Sequence, residues 1–190
     1  MRFLRRPRVH LGGEGPLLDQ ADLKAATIEV AYKARQDQVT VALVGGYALQ
    51  QYGSTRLTSD LDVAATQEIT TLVAQRALSF GGYASTTDSG VPIDVIVRND
   101  KYADLYNATI AAARPLPGVA LPVAPLEYLA AMKIVAGRSR DDADLEWILL
   151  SGKTDPNLLH DVVAEFLGRY AADELDALAE EITWQASRGR

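Results

Sequence analysis

The spacing of apolar positions along the chain changes character about two-thirds of the way through. Through 17–36, Leu18, Leu23, Ala26, Ile28, Val30 and Ala31 recur at mostly helical intervals and the stretch ends in polar residues, which predicts a helix. "VTVALV", 39–44, is rich in β-branched residues and stops at Gly45-Gly46, the pattern of a buried strand. A short helix is expected at 47–53, closed by Gly53, and a second strand over "LDVAA". "EITTLVAQRALSF", 68–80, is expected to be helical and to end at Gly81-Gly82. A third strand, "VPIDVIV" at 91–97, and a helix at 102–113 complete this part. Pro115, Pro117, Pro122 and Pro125 then punctuate a loop that predicts a change of subdomain. Helical patterns follow at 125–136, 140–151 and 156–186, the last broken near Gly168. The expected fold class is therefore α+β: a small mixed β-sheet flanked by helices over 1–114, with an N-terminal arm and helix, and a helical region over 115–190 that completes a cleft.

Two features of the strands are out of place for a core. Asp60 and Asp62 flank Leu61 at the start of the second strand. Side chains alternate across a strand, so the two carboxylates point to one side while Leu61 and Val63 point to the other. They repel each other there and are costly to desolvate. A divalent cation relieves both problems, and Mg²⁺ in particular takes one or two carboxylates together with substrate phosphates. Asp94 repeats the anomaly between Ile93 and Val95, where strand propensity disfavours aspartate. If its strand lies beside the one carrying Asp60 and Asp62, three carboxylates converge as a two-metal site requires, with ions ~3.5–4 Å apart. Taken singly, each aspartate has a plainer reading: a cap, a solvated charge, an edge-strand charge.

Gly45 and Gly46 supply a tight turn with exposed amides at a helix start, a place where phosphate binds well. Ser54 and Arg56, just before the aspartates, offer a hydroxyl and a guanidinium to the same anion. Together, "GGYALQQYGSTRLTSDLDV" and the later "PIDVIV" resemble the signature of the DNA polymerase β-like nucleotidyltransferase superfamily. That signature is a Gly-Gly or Gly-Ser turn, a spacer, Asp-x-Asp, and a third carboxylate. The resemblance covers roughly 38–150 and is closest to the AbiEii-type toxins of type IV toxin–antitoxin systems, with single-domain aminoglycoside nucleotidyltransferases as similar relatives. Tyr47 departs from the pattern, where many members have serine.

The resemblance implies a nucleotidyltransferase fold and transfer of a nucleoside monophosphate from an NTP to an acceptor hydroxyl. It implies Mg²⁺, or Mn²⁺, held by Asp60, Asp62 and Asp94, with phosphate at Gly45, Gly46, Ser54 and Arg56. On the helix around "EYLAAMKIVAG", Lys133 shares a face with Leu126, Leu129 and Ala130, so it must snorkel outward or meet an anion. Members of the toxin group resemble this in placing a lysine after the third carboxylate, where it neutralises triphosphate. "GRSRDDADLE" resembles their "R-x-K-D-x-x-D" element, with Arg140 at the lysine position; Asp144, on the stripe of Leu145 and Ile148, is expected to orient Lys133 or assist the site. Ser139 and Asp142 read as a capping box, which makes Asp141 and Asp142 first-turn acids.

Composition narrows the picture without choosing an acceptor. The chain has 190 residues, enough for one domain of ordinary size, and no cysteine, which removes disulfides, thiolate zinc sites and cysteine nucleophiles and suits a reducing cytoplasm. No apolar run approaches the ~18–20 residues of a membrane helix, and Arg2, Arg5, Arg6 and Arg8 are followed by no h-region, so a secretory signal is not expected. His10 and His160 have no metal-ligand spacing, and no Walker lysine loop, Rossmann fingerprint or G-x-S-x-G occurs. The net charge of −6 suits a cationic acceptor such as an aminoglycoside. A tRNA acceptor needs a positive groove, for which the arginine arm, Lys101, Arg114, Lys133, Arg138 and Arg140 are candidates. A toxin would also have a cognate antitoxin as partner. The non-enzymatic alternative is a nucleotidyltransferase-like binding or antitoxin module, in which the aspartates are usually lost.

Overall fold

A computed structural model describes residues 17–188. The arginines of the N-terminal arm and His10 lie outside the described residues. The first helix, α1 (Gln20–Gln36), starts where the Asp19 carboxylate accepts the Asp22 amide at 2.8 Å, and it buries Leu23, Ala26, Thr27, Val30 and Ala34. It leads into β1 (Val41–Val44), buried throughout, and directly into the short helix α2 (Gly45–Gln51). The strands β2 (Leu61–Ala65), β3 (Arg76–Ala77), β4 (Tyr83–Thr86) and β5 (Pro92–Ile96) follow, then α3 (Ala103–Ala112). The remainder is helical: α4 (Leu126–Ala136), α5 (Ser139–Leu150), α6 (Pro156–Leu167) and α7 (Arg169–Arg188). The fold class is α+β, as the pattern predicts, and Gly168 separates α6 from α7.

The five strands form one mixed sheet in the order β1-β2-β5-β4-β3, with β2 and β5 parallel and every other neighbour antiparallel. The β2–β5 pairing is the one that matters for chemistry, because its register sets Asp62 directly opposite Asp94. Leu61, Val63, Ile93 and Val95 fill the other face and are essentially inaccessible.

One predicted element is wrong. Residues 68–80 are not a helix; the stretch turns irregularly and ends in the short strand β3, paired with β4, a strand absent from the sequence reading. The physical reason lies outside the segment. Asp37, at the end of α1, accepts the Thr71 amide and the Thr70 and Thr71 hydroxyls, while the Tyr83 hydroxyl both donates to the Ile69 carbonyl (2.7 Å) and accepts its amide (3.1 Å). Those bonds take groups a helix would have used, and Ile69, Leu72 and Leu78 bury themselves without helical periodicity. Gly82, at φ +88, allows the return into β4, and a Cβ there would sit 2.0 Å from the Val95 carbonyl oxygen.

The proline-rich connection stays on the sheet. The Leu43 amide donates to the Pro122 carbonyl (2.7 Å) and the Ala124 amide to the Leu43 carbonyl (3.0 Å), so 122–124 runs along the free edge of β1. The hydrophobic core is continuous from α1 and the sheet to α4, α5, α6 and α7. This connection leads directly into α4, which packs on α3, α5 and α6.

Candidate active site

Asp60, Asp62 and Asp94 come together. One carboxylate oxygen from each lies within 4.8 Å of the others, and all three residues are half-buried. Asp62 and Asp94 meet through strand register, while Asp60 is held at the mouth of β2 by Thr58, whose hydroxyl donates to its carboxylate at 3.0 Å. Thr58 is buried and was not signalled by the sequence pattern. Burial, then the charges of Asp60 and Asp94, push the Asp62 carboxyl up to about 7, although Lys133 and Arg138 pull in the other direction. Burial and Asp60 likewise raise Asp94, against Arg76, Arg138 and Arg140.

The upstream glycines belong to the same construction. Gly45 has φ +69, and a Cβ there would lie 1.9 Å from Asp62 Oδ2, so both backbone conformation and space demand glycine. A Cβ on Gly46 would lie 2.2 Å from Arg56 Nη1. Ser54 accepts the Arg56 amide at 3.3 Å.

Arg56 turns inward: its Nε pairs with Asp144 Oδ1 at 3.1 Å. It enters a chain of alternating charges on α4 and α5. Lys133, only 6% exposed, lies 2.6 Å from Asp144 Oδ2 and 3.0 Å from Asp141 Oδ1. Asp141 in turn accepts the Arg138 Nε at 2.7 Å and its backbone amide at 3.1 Å. The expected Ser139–Asp142 capping box is not the one formed. Arg138 is the N-cap of α5 and Asp141 occupies the reciprocal position, which sinks Asp141 to 1% exposure instead of leaving it a solvated first-turn acid. Burial works against the Asp141 charge, yet the Arg138 hydrogen bond and the nearby Lys133 hold its carboxyl below the ordinary value. The signal in the sequence lay in Asp144, on the face of Leu145 and Ile148; Asp141, an ordinary first-turn acid, carried none. His160 meets only Asp176 among the described contacts, on α6 and α7.

Three convergent carboxylates offer oxygen ligands only, the donor set of a hard divalent cation, and the burial and like-charge crowding that raise Asp62 are what such a cation would offset. The metal-free protein carries this repulsion as a pH-dependent cost. A carboxyl raised in the folded state destabilises the fold as pH climbs through the interval between its unfolded value, near 4, and its folded value, about 7. Metal-free Asp62→Asn should therefore melt above the wild type at pH 8 by roughly 1–3 kcal/mol, with the margin shrinking toward pH 5. Thermal melts in chelator across that range check it; a margin that does not change with pH contradicts it.

No protein-family model matches the chain, and no curated protein matches it in sequence. Solved structures do. The antibiotic-resistance factor ANT(2'')-Ia is similar at TM-score 0.53 and 14% identity, over 83% of this chain and 97% of that one. An antigenic nucleotidyltransferase-like protein from Paracoccidioides brasiliensis gives TM-score 0.46 and 15% identity, over 86% of this chain and 94% of that one. Among the described residues, no helix is long and apolar enough to cross a membrane. The similarity to ANT(2'')-Ia lies in the backbone, and the chain has a nucleotidyltransferase-like fold.

Proposed function

We propose that the protein is a Mg²⁺-dependent nucleotidyltransferase that moves a nucleoside monophosphate from an NTP to an acceptor hydroxyl and releases pyrophosphate. The single observation that carries this is the convergence of Asp60, Asp62 and Asp94 across the β2–β5 register in a nucleotidyltransferase-like fold. Asp60, Asp62 and Asp94 would hold the metal, Mg²⁺ or Mn²⁺, which when bound neutralises the triphosphate and activates oxygen. Asp94, whose proton affinity is raised, would also accept the proton of the attacking hydroxyl. Gly45 and Gly46 would let the polyphosphate approach the start of α2, with Ser54 and Arg56 closing the same turn. Lys133 and Asp144 keep positive and negative charge locked behind the triad, and catalysis is mainly positioning and electrostatic.

For the acceptor, the sequence resemblance favours an AbiEii-like toxin acting on tRNA, with a cognate antitoxin as partner. The charge placement agrees: Arg76, Arg138 and Arg140 all bear on Asp94. The structural likeness to an antibiotic-resistance factor supports the second reading, a small-molecule, aminoglycoside-type acceptor. A helical region over 115–190 completing the cleft of a 1–114 core fits either one. An inactive binding or antitoxin module is disfavoured by the retention of all three aspartates.

The test is incubation of the purified chain with α-labelled NTPs, Mg²⁺ and either cellular RNA or an aminoglycoside panel, with 3′-end sequencing of RNA from cells expressing it. Label on RNA ends supports the toxin reading and label on the drug the second. Absence of transfer to both, together with absence of Mg²⁺-dependent NTP binding, ends the proposal.

A further inference from the structure

Lys133 is the cation that the sequence resemblance sets against the triphosphate, yet it is spoken for. Its ammonium is buried between Asp141 and Asp144, and drawing it toward a ligand would take one cation from each of two buried carboxylates. Arg138 is in the opposite situation. Close to half of its side-chain surface, 48%, is open. Its Nε, its Nη2 (3.4 Å) and its backbone amide all go to the one Asp141 carboxylate, which fixes the plane of the guanidinium and leaves Nη1 out of that set. Its charge also reaches the triad: Arg138 favours the ionised forms of Asp62 and Asp94, and Asp62 and Asp60 help hold the Arg138 proton. A half-open guanidinium, oriented by a buried carboxylate and lying within the field of a carboxylate triad, is suited to a bidentate or bridging bond to phosphate oxygen.

We propose that Arg138, oriented by Asp141, is the direct protein ligand of the nucleotide's polyphosphate, and that Lys133 acts behind it by holding Asp141 and Asp144 in place. This rests on the nucleotidyltransferase reading of the site. It makes Arg138 a binding residue and Asp141 and Lys133 positioning residues, and it moves the phosphate contact from α4 to the start of α5.

The experiment is calorimetric titration of the full chain with each of the four α,β-methylene NTPs in Mg²⁺, and separately with Mn²⁺ alone. Arg138→Gln should weaken whichever analogue binds by about tenfold or more, since a charge-assisted bond is lost. Arg138→Lys, which keeps the charge but not the fork, should fall between. Mn²⁺ affinity without nucleotide should not fall with it, since Arg138 is a neighbouring cation and not a ligand of the metal. Asp141→Asn should weaken the analogue too, and adding Arg138→Gln to it should cost little more, because both changes remove one oriented guanidinium. If Arg138→Gln binds the analogue as well as the wild type does, or loses Mn²⁺ in proportion to nucleotide, the role given to Arg138 is overturned. Independent, multiplying losses in the double variant overturn the role given to Asp141. A wild type that binds none of the four analogues overturns the nucleotidyltransferase reading itself, a different failure that the wild-type titration alone reveals.

Discussion

Replacing Asp60, Asp62 and Asp94 together by alanine is expected to lower nucleotidyl transfer by three orders of magnitude or more, about 4 kcal/mol in the barrier. The fold should survive. The three carboxylates repel one another in a half-buried site, and the apolar residues of the same strands, Leu61, Val63, Ile93 and Val95, pack on the opposite face of the sheet. The metal-free triple variant should melt no lower than the metal-free wild type at pH 8 while losing the stabilisation the wild type gains from added Mn²⁺. Label transfer and thermal melts with and without metal read the two effects separately. A triple variant that keeps its transfer activity or its growth phenotype would place the chemistry elsewhere on the molecule. One that fails to fold would show the triad to be architectural.

The second large effect concerns Lys133. Lys133→Met is close in volume but leaves Asp141 and Asp144 buried with one cation fewer, and it should cost about 3–5 kcal/mol of stability. For a chain of this length that corresponds to a fall in melting temperature of roughly 10 °C. Arg138 and Arg56 would remain as partners of Asp141 and Asp144, so the loss should be large but not complete. Changing Asp144 to Asn in the Lys133→Met background should recover part of it, because the buried carboxylate that lost its nearer cation is then neutral, while Arg56 is open enough to be hydrated. Denaturant titration of the single and double variants measures both. A loss under ~1 kcal/mol with no recovery would mean that Lys133 finds solvent easily, and the assignment of the phosphate contact to Arg138 would lose its reason.

The two effects differ in how visible they were from the chain alone. Asp60, Asp62 and Asp94 announce themselves because a carboxylate inside an apolar strand violates the local pattern, and the violation can be read without knowing any neighbour. Lys133 on an apolar stripe is a violation of the same kind, and so is Asp144 beside Leu145 and Ile148. Asp141 violates nothing: an acid in the first turn of a helix is ordinary, and only the shift of the cap from Ser139 to Arg138 makes it a buried hub. Arg56 reads as a phosphate contact until Asp144 is placed beside it. The missed hairpin has the same origin, since 68–80 has helical composition and is held out of a helix by Asp37 and Tyr83, residues outside its own run.

The α+β class, most element positions, a tight turn at Gly45-Gly46 and three misplaced carboxylates were legible in the chain alone. These depend on side-chain periodicity and on local steric rules, which act over a few residues and are written into each segment. Only the tertiary structure decided that β2 and β5 are adjacent and parallel, that Asp62 therefore faces Asp94, and that Lys133 is bound to protein carboxylates. Those depend on which groups meet at sequence separations of 8 to 88 residues, as with Lys133 and Asp141 or Arg56 and Asp144. A charge's partner is chosen by proximity in space and by the cost of burying it alone, and neither is a property of the segment that carries it.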